Sequence, residues 1–374
     1  MKANHQKIFE PFTFTSGVEV KNRIMLAPMT NYSSKDNDEV SESELAYYSE
    51  RSGGVGAVIT AVAYIEAGGK GFPGQFSAAD DSFIPSLKKL ADTIQSKGSK
   101  AILQIFHAGR MSPPDLLPDQ QSVSASAVAV EQKSAQVPRE MTESEIQATI
   151  KNFGEATRRA IEAGYDGVEI HGANTYLLQQ FFSPHSNRRN DQWGGSLEKR
   201  MAFPLAVIAE VKNTVAKFAK HPFIVGYRLS PEEGSNPGIT LEDTLSFVDT
   251  LANQELDYLH ISVKHFWNGS FRDKDKSESR IVKIHEKVGN RVPVIGVGSL
   301  HTPDEVVDAL NTGVPFIALG RELLMEPRWV QKVEAGEEAD IRTTLSKQAQ
   351  QELVIPDPLW DRLINVPGWM PVVE

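Results

Sequence analysis

Cysteine is absent from this 374-residue chain. Disulfides, thiolate catalysis, iron–sulfur clusters and cysteine zinc sites are excluded with it. No run of eighteen apolar residues is present, so no helix is expected to span a bilayer. Met1 to Glu10 is polar and charged, which predicts no signal peptide and a cytoplasmic protein. There is no long basic run, and the formal net charge is −10. Nucleic acid and anionic membrane surfaces are therefore not expected partners, although a local basic pocket for a phosphate stays open. No H-x-H or H-E-x-x-H spacing marks a metal site. No linker-like stretch divides the chain.

What is present reads as an ordinary globular composition, with 40% hydrophobic and 24% charged residues. Short apolar runs alternate with longer helical patterns. The predicted strands are Ile24–Ala27, Ala57–Ala63, Ala101–Phe106, Gly167–His171, Phe223–Leu229, Tyr258–Val263, Val292–Val297 and Phe316–Leu319. The predicted helices are Ser43–Arg51, Phe83–Lys97, Thr142–Ala163, Leu197–Phe218, Leu241–Asn253, Ser277–Lys287, Pro303–Asn311 and Arg328–Ala335. Thr142 to Glu145 and Thr302 to Glu305 form capping boxes, and Gly98, Gly164 and Gly313 suit left-handed C-caps. The strands are apolar almost throughout, as in parallel sheets covered on both faces.

Eight strand–helix units in series predict an α/β fold, a closed (β/α)8 barrel. A doubly wound open sheet is the rival, and periodicity alone does not separate the two. We expect one domain over 1–374, with the barrel at about 23–335 and an extension at about 336–374. Ala108 to Met141, after the third strand, reads as a long loop over the mouth. Ile355 to Glu374 holds four prolines and two tryptophans. It reads as an extended arm that packs on something, another subunit of a homo-oligomer being one candidate.

Barrel chemistry sits where strands end. The residues there are Pro28, Met29, Thr30, Asn31 and Tyr32; Tyr64; Gln104, His107 and Arg110; His171, Asn174 and Tyr176; Arg228; and Lys264, His265 and Trp267. The seventh and eighth strands end in Gly298-Ser299 and Gly320-Arg321. Loops at those positions often hold a phosphate: glycine lets the backbone approach, and arginine pairs with the anion. Tight strand-to-helix turns would use the same glycines, and phosphate binding is the reading we favour. Gly69-Lys-Gly-Phe-Pro-Gly74 matches a dinucleotide motif, but Pro73 lies inside it and no helix opens there, so a loop is the better reading. His171, Asn174 and Tyr176 could hold an oxygen and supply a proton, or could simply be satisfied and packed. A metal reading, in which His107, His171 and His265 converge as ligands, is the poorer one.

Several segments together resemble the Old Yellow Enzyme family. They are Arg23 to Thr30 (RIMLAPMT), Gln104 to Arg110 (QIFHAGR), His171 to Asn174 (HGAN) with Tyr176, Phe182 to Arg200 (FSPHSNRRNDQWGGSLEKR), Gly226 to Ser230 (GYRLS) and Leu319 to Leu323 (LGREL). They keep the family's order and span about residues 6 to 335. The resemblance implies a barrel that holds FMN noncovalently, is reduced by NADH or NADPH, and reduces an activated alkene. It places Pro28, Met29, Thr30 and Ala61 or Ala63 against the flavin, with Ala63 the residue chosen here. It places Gln104 and Arg228 on the pyrimidine side, and Gly298, Ser299, Gly320 and Arg321 on the phosphate. His171 and Asn174 would hold the substrate carbonyl beside Tyr32, and Tyr176 would donate the proton. Some members carry a second histidine where Asn174 stands, and some a cysteine where Thr30 stands. Trp193 replaces a common tyrosine and is expected to be structural. Lys264, His265 and Trp267 have no clear counterpart. The competing classes are a metal-dependent barrel hydrolase and a non-catalytic flavin-binding protein. The sequence does not name the substrate or choose between NADH and NADPH.

Overall fold

A computed structural model describes residues 2–133, 135–275 and 277–374, so Met1, Ser134 and Lys276 lie outside the described residues. Eight parallel strands form a closed barrel: β1 (Ile24–Leu26), β2 (Ala57–Tyr64), β3 (Lys100–Phe106), β4 (Gly167–Gly172), β5 (Ile224–Leu229), β6 (Tyr258–Ile261), β7 (Val294–Val297) and β8 (Phe316–Leu319). Leu319 of β8 pairs with Leu26 of β1, which closes the sheet and removes the open-sheet alternative. Closure leaves no free edge, and the apolar strands are buried between the barrel interior and the helices.

The outer ring comprises α1 (Glu42–Ser52), α2 (Ile84–Gln95), α3 (Glu143–Glu162), α4 (Leu177–Phe182), α5 (Leu197–Phe218), α6 (Leu241–Leu251), α7 (Arg280–Val288), α8 (Pro303–Asn311), α9 (Arg321–Met325) and α10 (Trp329–Ala335). Side-chain caps start many of these helices. Ser41, Thr142, Thr240 and Thr302 each complete a capping box with the acidic residue three positions on. Gly98, Gly164 and Gly313 take the positive φ expected of them. Helices α4 and α9 are absent from the sequence reading, because one or two turns are too short to show a 3.6-residue period. Among the described residues, no helix is long and apolar enough to cross a membrane.

The tail corrects an expectation. It is not an extended arm: Asp357–Asn365 forms a further helix, α11, with Pro358 in its first turn, where a missing N–H costs nothing. It also packs on its own barrel. Leu353, Ile355, Leu359, Trp360 and Leu363 are buried in the main core. The buried Arg51 of α1 donates to the carbonyls of Leu353 at 2.6 Å and Leu323 at 3.1 Å. Trp360 of the tail is thus covered within the chain, while Val366 and Val373 stay exposed.

The N-terminal end of the barrel is closed by a hairpin, Phe12–Thr13 against Glu19–Val20. Phe12 and Phe14 pack on Phe316 with ring centroids 4.9 and 5.2 Å apart. The opposite end is covered by loops. Part of the long loop after β3 is buried: Arg189 donates to the carbonyls of Ala125 at 3.0 Å and Met141 at 2.8 Å, and Ser124 donates to Gln180 at 2.9 Å.

Candidate active site

Two adjoining cavities open at the C-terminal ends of the strands. The larger, about 540 Å³, is bounded by Gly298, Ser299, Gly320 and Arg321. The smaller, about 70 Å³, is lined by Thr30, Val62, Phe72, Gln104, His171, Asn174 and Tyr176. Pro28, Met29 and Arg228 line both. Of the residues assigned to flavin, phosphate or substrate, Ala63 (with its alternative Ala61) and Tyr32 fall outside these walls.

Ala63 misses because of how β2 pairs with β3. The pairing of β2 with β3 shifts between Ile59 and Val62, a bulge that inserts an extra residue. Ala57 and Ile59 face the barrel interior. Past the bulge, Val62 and Tyr64 take the inward positions, while Ala61 and Ala63 join the layer beneath the helices. Strict alternation would have aimed the alanines inward. Tyr32 stands one layer further out. Its ring meets Phe72 edge-on at 5.6 Å and carries the Arg362 guanidinium of α11 at 3.9 Å. Phe72 and Val62 were missed. Phe72 lies in the glycine-rich loop set aside as a false motif, and nothing local marks it as a wall of the cavity.

His171 is buried, and its Nδ1 accepts the Ala173 N–H at 3.2 Å. Burial first, then Arg228 and His260, hold its pKa well below the ordinary histidine value. The ring is therefore neutral with its proton on Nε2, a donor. Tyr176 packs edge-on to Phe106 at 4.6 Å and to His171 at 5.1 Å. Burial, with Tyr32 adding to it, raises the phenol pKa, so Tyr176 keeps its proton. Asn174 lies between β4 and α4 with its backbone at φ +55°.

Beneath these groups lies a buried polar set. Gln104 donates to Glu169 at 2.6 Å, and His260 Nδ1 lies 2.9 Å from the other Glu169 oxygen. Burial opposes the Glu169 charge, yet His260, Arg228 and Gln104 together hold its pKa below the ordinary range. With one Gln104 amide hydrogen engaged, its oxygen and second hydrogen remain for the cavity. Arg228 is 8% exposed and its Nε is buried without a partner. A buried guanidinium short of acceptors is costly unless a ligand supplies them.

The larger cavity has the features of an anion cradle. Gly298 has φ +126°, and a Cβ there would lie 2.8 Å from the backbone of His265, so only glycine fits. At Gly320 a Cβ would make ordinary contacts with Ala27 and Met29, so packing does not demand glycine and its absence widens the cavity. Arg321 donates to Ser299 Oγ, which donates to the Lys264 carbonyl at 3.0 Å. Trp369 of the tail lines the same cavity, and its carbonyl accepts from Arg321 at 3.4 Å. This donor set and the orphaned Arg228 fit the phosphate and the polar ring edge of FMN.

The remaining rim candidates lie elsewhere. His107 Nε2 faces Glu66 at 3.2 Å, while His171 lines the smaller cavity and His265 the larger, so the three histidines share no wall. Tyr64 donates to Asp38 at 2.7 Å, and Arg110 to the Val128 carbonyl at 3.0 Å. Trp267 is 49% exposed. Trp193 is buried and donates to Glu143 at 2.5 Å, tying the segment before α5 to α3.

Residues 7–340 match the model of the NADH:flavin oxidoreductase / NADH oxidase family. A probable NADH-dependent flavin oxidoreductase of Bacillus subtilis is 49% identical over 99% of each chain. An NADH:acrylate oxidoreductase of Vibrio harveyi is 46% identical over 95% of this chain, which spans only 36% of that relative. The fold is shared with the old yellow enzyme homologue of Zymomonas mobilis, with a TM-score of 0.78 and 24% identity over 94% of this chain and 96% of the other.

Proposed function

The chain belongs to the NADH:flavin oxidoreductase / NADH oxidase family, and from that premise we propose that it reduces the activated C=C bond of α,β-unsaturated carbonyl compounds, with FMN as its cofactor and NADH or NADPH as its reductant. The observation that carries this reading is the set of His171, Asn174 and Tyr176 around one small cavity that also contains Arg228. FMN, when bound, supplies the hydride. The protein supplies position and electrostatics.

Gly298, Ser299, Gly320 and Arg321 would hold the phosphate, and Pro28, Met29, Thr30, Gln104 and Arg228 the ring. Arg228 places a permanent cation where reduction adds negative charge. His171 Nε2 and the Asn174 amide donate to the substrate carbonyl oxygen. That draws electrons from the β-carbon and stabilises the enolate-like transition state. Tyr176 gives a proton to the α-carbon. The neighbouring rings of Phe72 and Phe106 keep water from competing. A neutral His171 and a protonated Tyr176 are the forms these roles need.

Purified protein should show flavin absorbance that bleaches under anaerobic NADH or NADPH. Tyr176→Phe should be reduced at the wild-type rate yet lose on the order of 10²–10⁴-fold in oxidation by cyclohexenone, measured by stopped flow. Unchanged enone turnover removes Tyr176 from its role; a colourless protein that takes up no FMN removes the flavin reading. The Vibrio harveyi relative extends well beyond the portion this chain spans, so acrylate belongs in the same assay as a separate acceptor.

A further inference from the structure

The turn that carries Asn174 is closed by the Tyr176 N–H on the Ala173 carbonyl at 3.2 Å, and side chains hold the N–H groups within it. Asn174 and the β-branched Thr175 both take positive φ, +55° and +67°. Three successive N–H groups are captured there: Ala173 by His171 Nδ1 at 3.2 Å, Asn174 by Ser230 Oγ at 2.9 Å, and Thr175 by Gln179 Oε1 at 3.0 Å. The Asn174 side chain is captured as well. Ser262 Oγ donates to Oδ1 at 2.8 Å, and Ser230 Oγ at 3.3 Å. Ser230 and Ser262 are the first residues past β5 and β6, so their positions are set by the barrel itself.

A serine hydroxyl owns one proton. Ser230 Oγ already accepts the Asn174 N–H, which leaves its proton for Oδ1. Two hydroxyl protons occupy both lone pairs of that oxygen. What Asn174 has left to offer the cavity is its Nδ2 hydrogens. An asparagine amide without such partners turns over freely, and with Oδ1 inward it would face a carbonyl oxygen lone pair to lone pair. We propose that Ser230 and Ser262 are positioning residues that lock Asn174 as a donor. They make the pair His171 Nε2 and Asn174 Nδ2 a two-donor clamp selective for ligands that present an oxygen acceptor, a carbonyl or a phenolate. The inference rests on the ligand site proposed above and names what gives it its polarity.

The experiment is a double-mutant cycle read by the long-wavelength band that a phenolate, para-hydroxybenzaldehyde, forms with the flavin of the holoprotein. Ser262→Ala should weaken that ligand about tenfold, and Ser230→Ala, at the longer distance, about threefold, with flavin content and thermal midpoint unchanged. Ser262→Thr, which keeps the hydroxyl, should restore most of the affinity. In an Asn174→Ala background, Ser262→Ala should change affinity by less than about twofold, because a residue that acts through Asn174 has nothing left to act on. Wild-type affinity in Ser262→Ala overturns the proposal, and so does a full tenfold loss in the Asn174→Ala background. A flavin-loaded wild-type protein with no ligand band overturns the substrate-site reading and this inference with it, whereas a normal band insensitive to both serines overturns this inference alone.

Discussion

At the N-terminal end of the barrel, the hairpin drives Phe12, Phe14, Val18 and Val20 into an apolar plug against Tyr258, Ile295 and Phe316. A buried carboxylate lies beside it: Asp257, 4% exposed, accepts from the backbone N–H groups of Ser16 and Val225, both at 2.8 Å. At the C-terminal end, the same strands finish in an unpartnered Arg228 Nε, a buried neutral His171, and left-handed residues at Tyr32, Asn174, Thr175 and Ser299. The base is filled chiefly by apolar side chains, with Tyr258 Oη and Ser16 Oγ buried there without partners; the mouth gathers a buried cation and several left-handed residues around its cavities. Function is purchased at the mouth and the fold is secured at the base.

That contrast predicts how the two ends answer to mutation. The largest effect should come from the base. Phe14→Ala leaves a cavity under β6 and β8 and should cost about 3–5 kcal/mol in denaturant unfolding, with flavin affinity intact. A comparable loss of flavin from the surviving folded protein would show that the two ends are coupled.

The second effect is one of pH. Glu44, buried at the start of α1 on the mouth side, has its pKa raised from 4.5 to about 7, chiefly by burial. Between those values it is protonated in the folded chain and ionised in the unfolded one, so folding takes up a proton. Stability should therefore fall as pH rises from about 4.5 to about 7, by up to about 3 kcal/mol, and level off above. Glu44→Gln should flatten that slope; a slope unchanged in the variant would assign it to other groups.

The smallest effect should have the opposite sign. Thr175→Gly relieves a β-branched residue at φ +67° and should raise stability by roughly 0.5–1 kcal/mol, while enone turnover falls as Asn174 loses its fixed backbone. A destabilised variant would show that the mouth is not strained there.

Much of the architecture was legible because it depends on local chemistry. Apolar runs too short for helices, capping boxes at Thr142 and Thr302, and glycines at C-caps are properties of neighbouring residues. The rim residues followed from the rule that barrel chemistry sits at strand ends, and most of them do line the two cavities. The exceptions all involve contacts distant in sequence. The bulge in β2 that replaces Ala63 by Val62 arises from pairing with β3. Phe72 reaches the cavity from a loop with no distinguishing pattern. The tail looked like an arm because its prolines and tryptophans are legible, while the barrel surface that receives them is not.

The opposition between base and mouth divides in the same way. The sequence by itself determined that eight strand–helix units would form, which residues would stand at their C-terminal ends, and that a glycine–serine and a glycine–arginine pair would end the last two strands. Barrel closure decided the rest. It brought Ser230 and Ser262 from adjacent strand ends onto the Asn174 amide, set Glu169 between Gln104 and His260, and left Arg228 buried between two cavities. Those relations depend on shear and register around a closed sheet, which no local window of sequence contains.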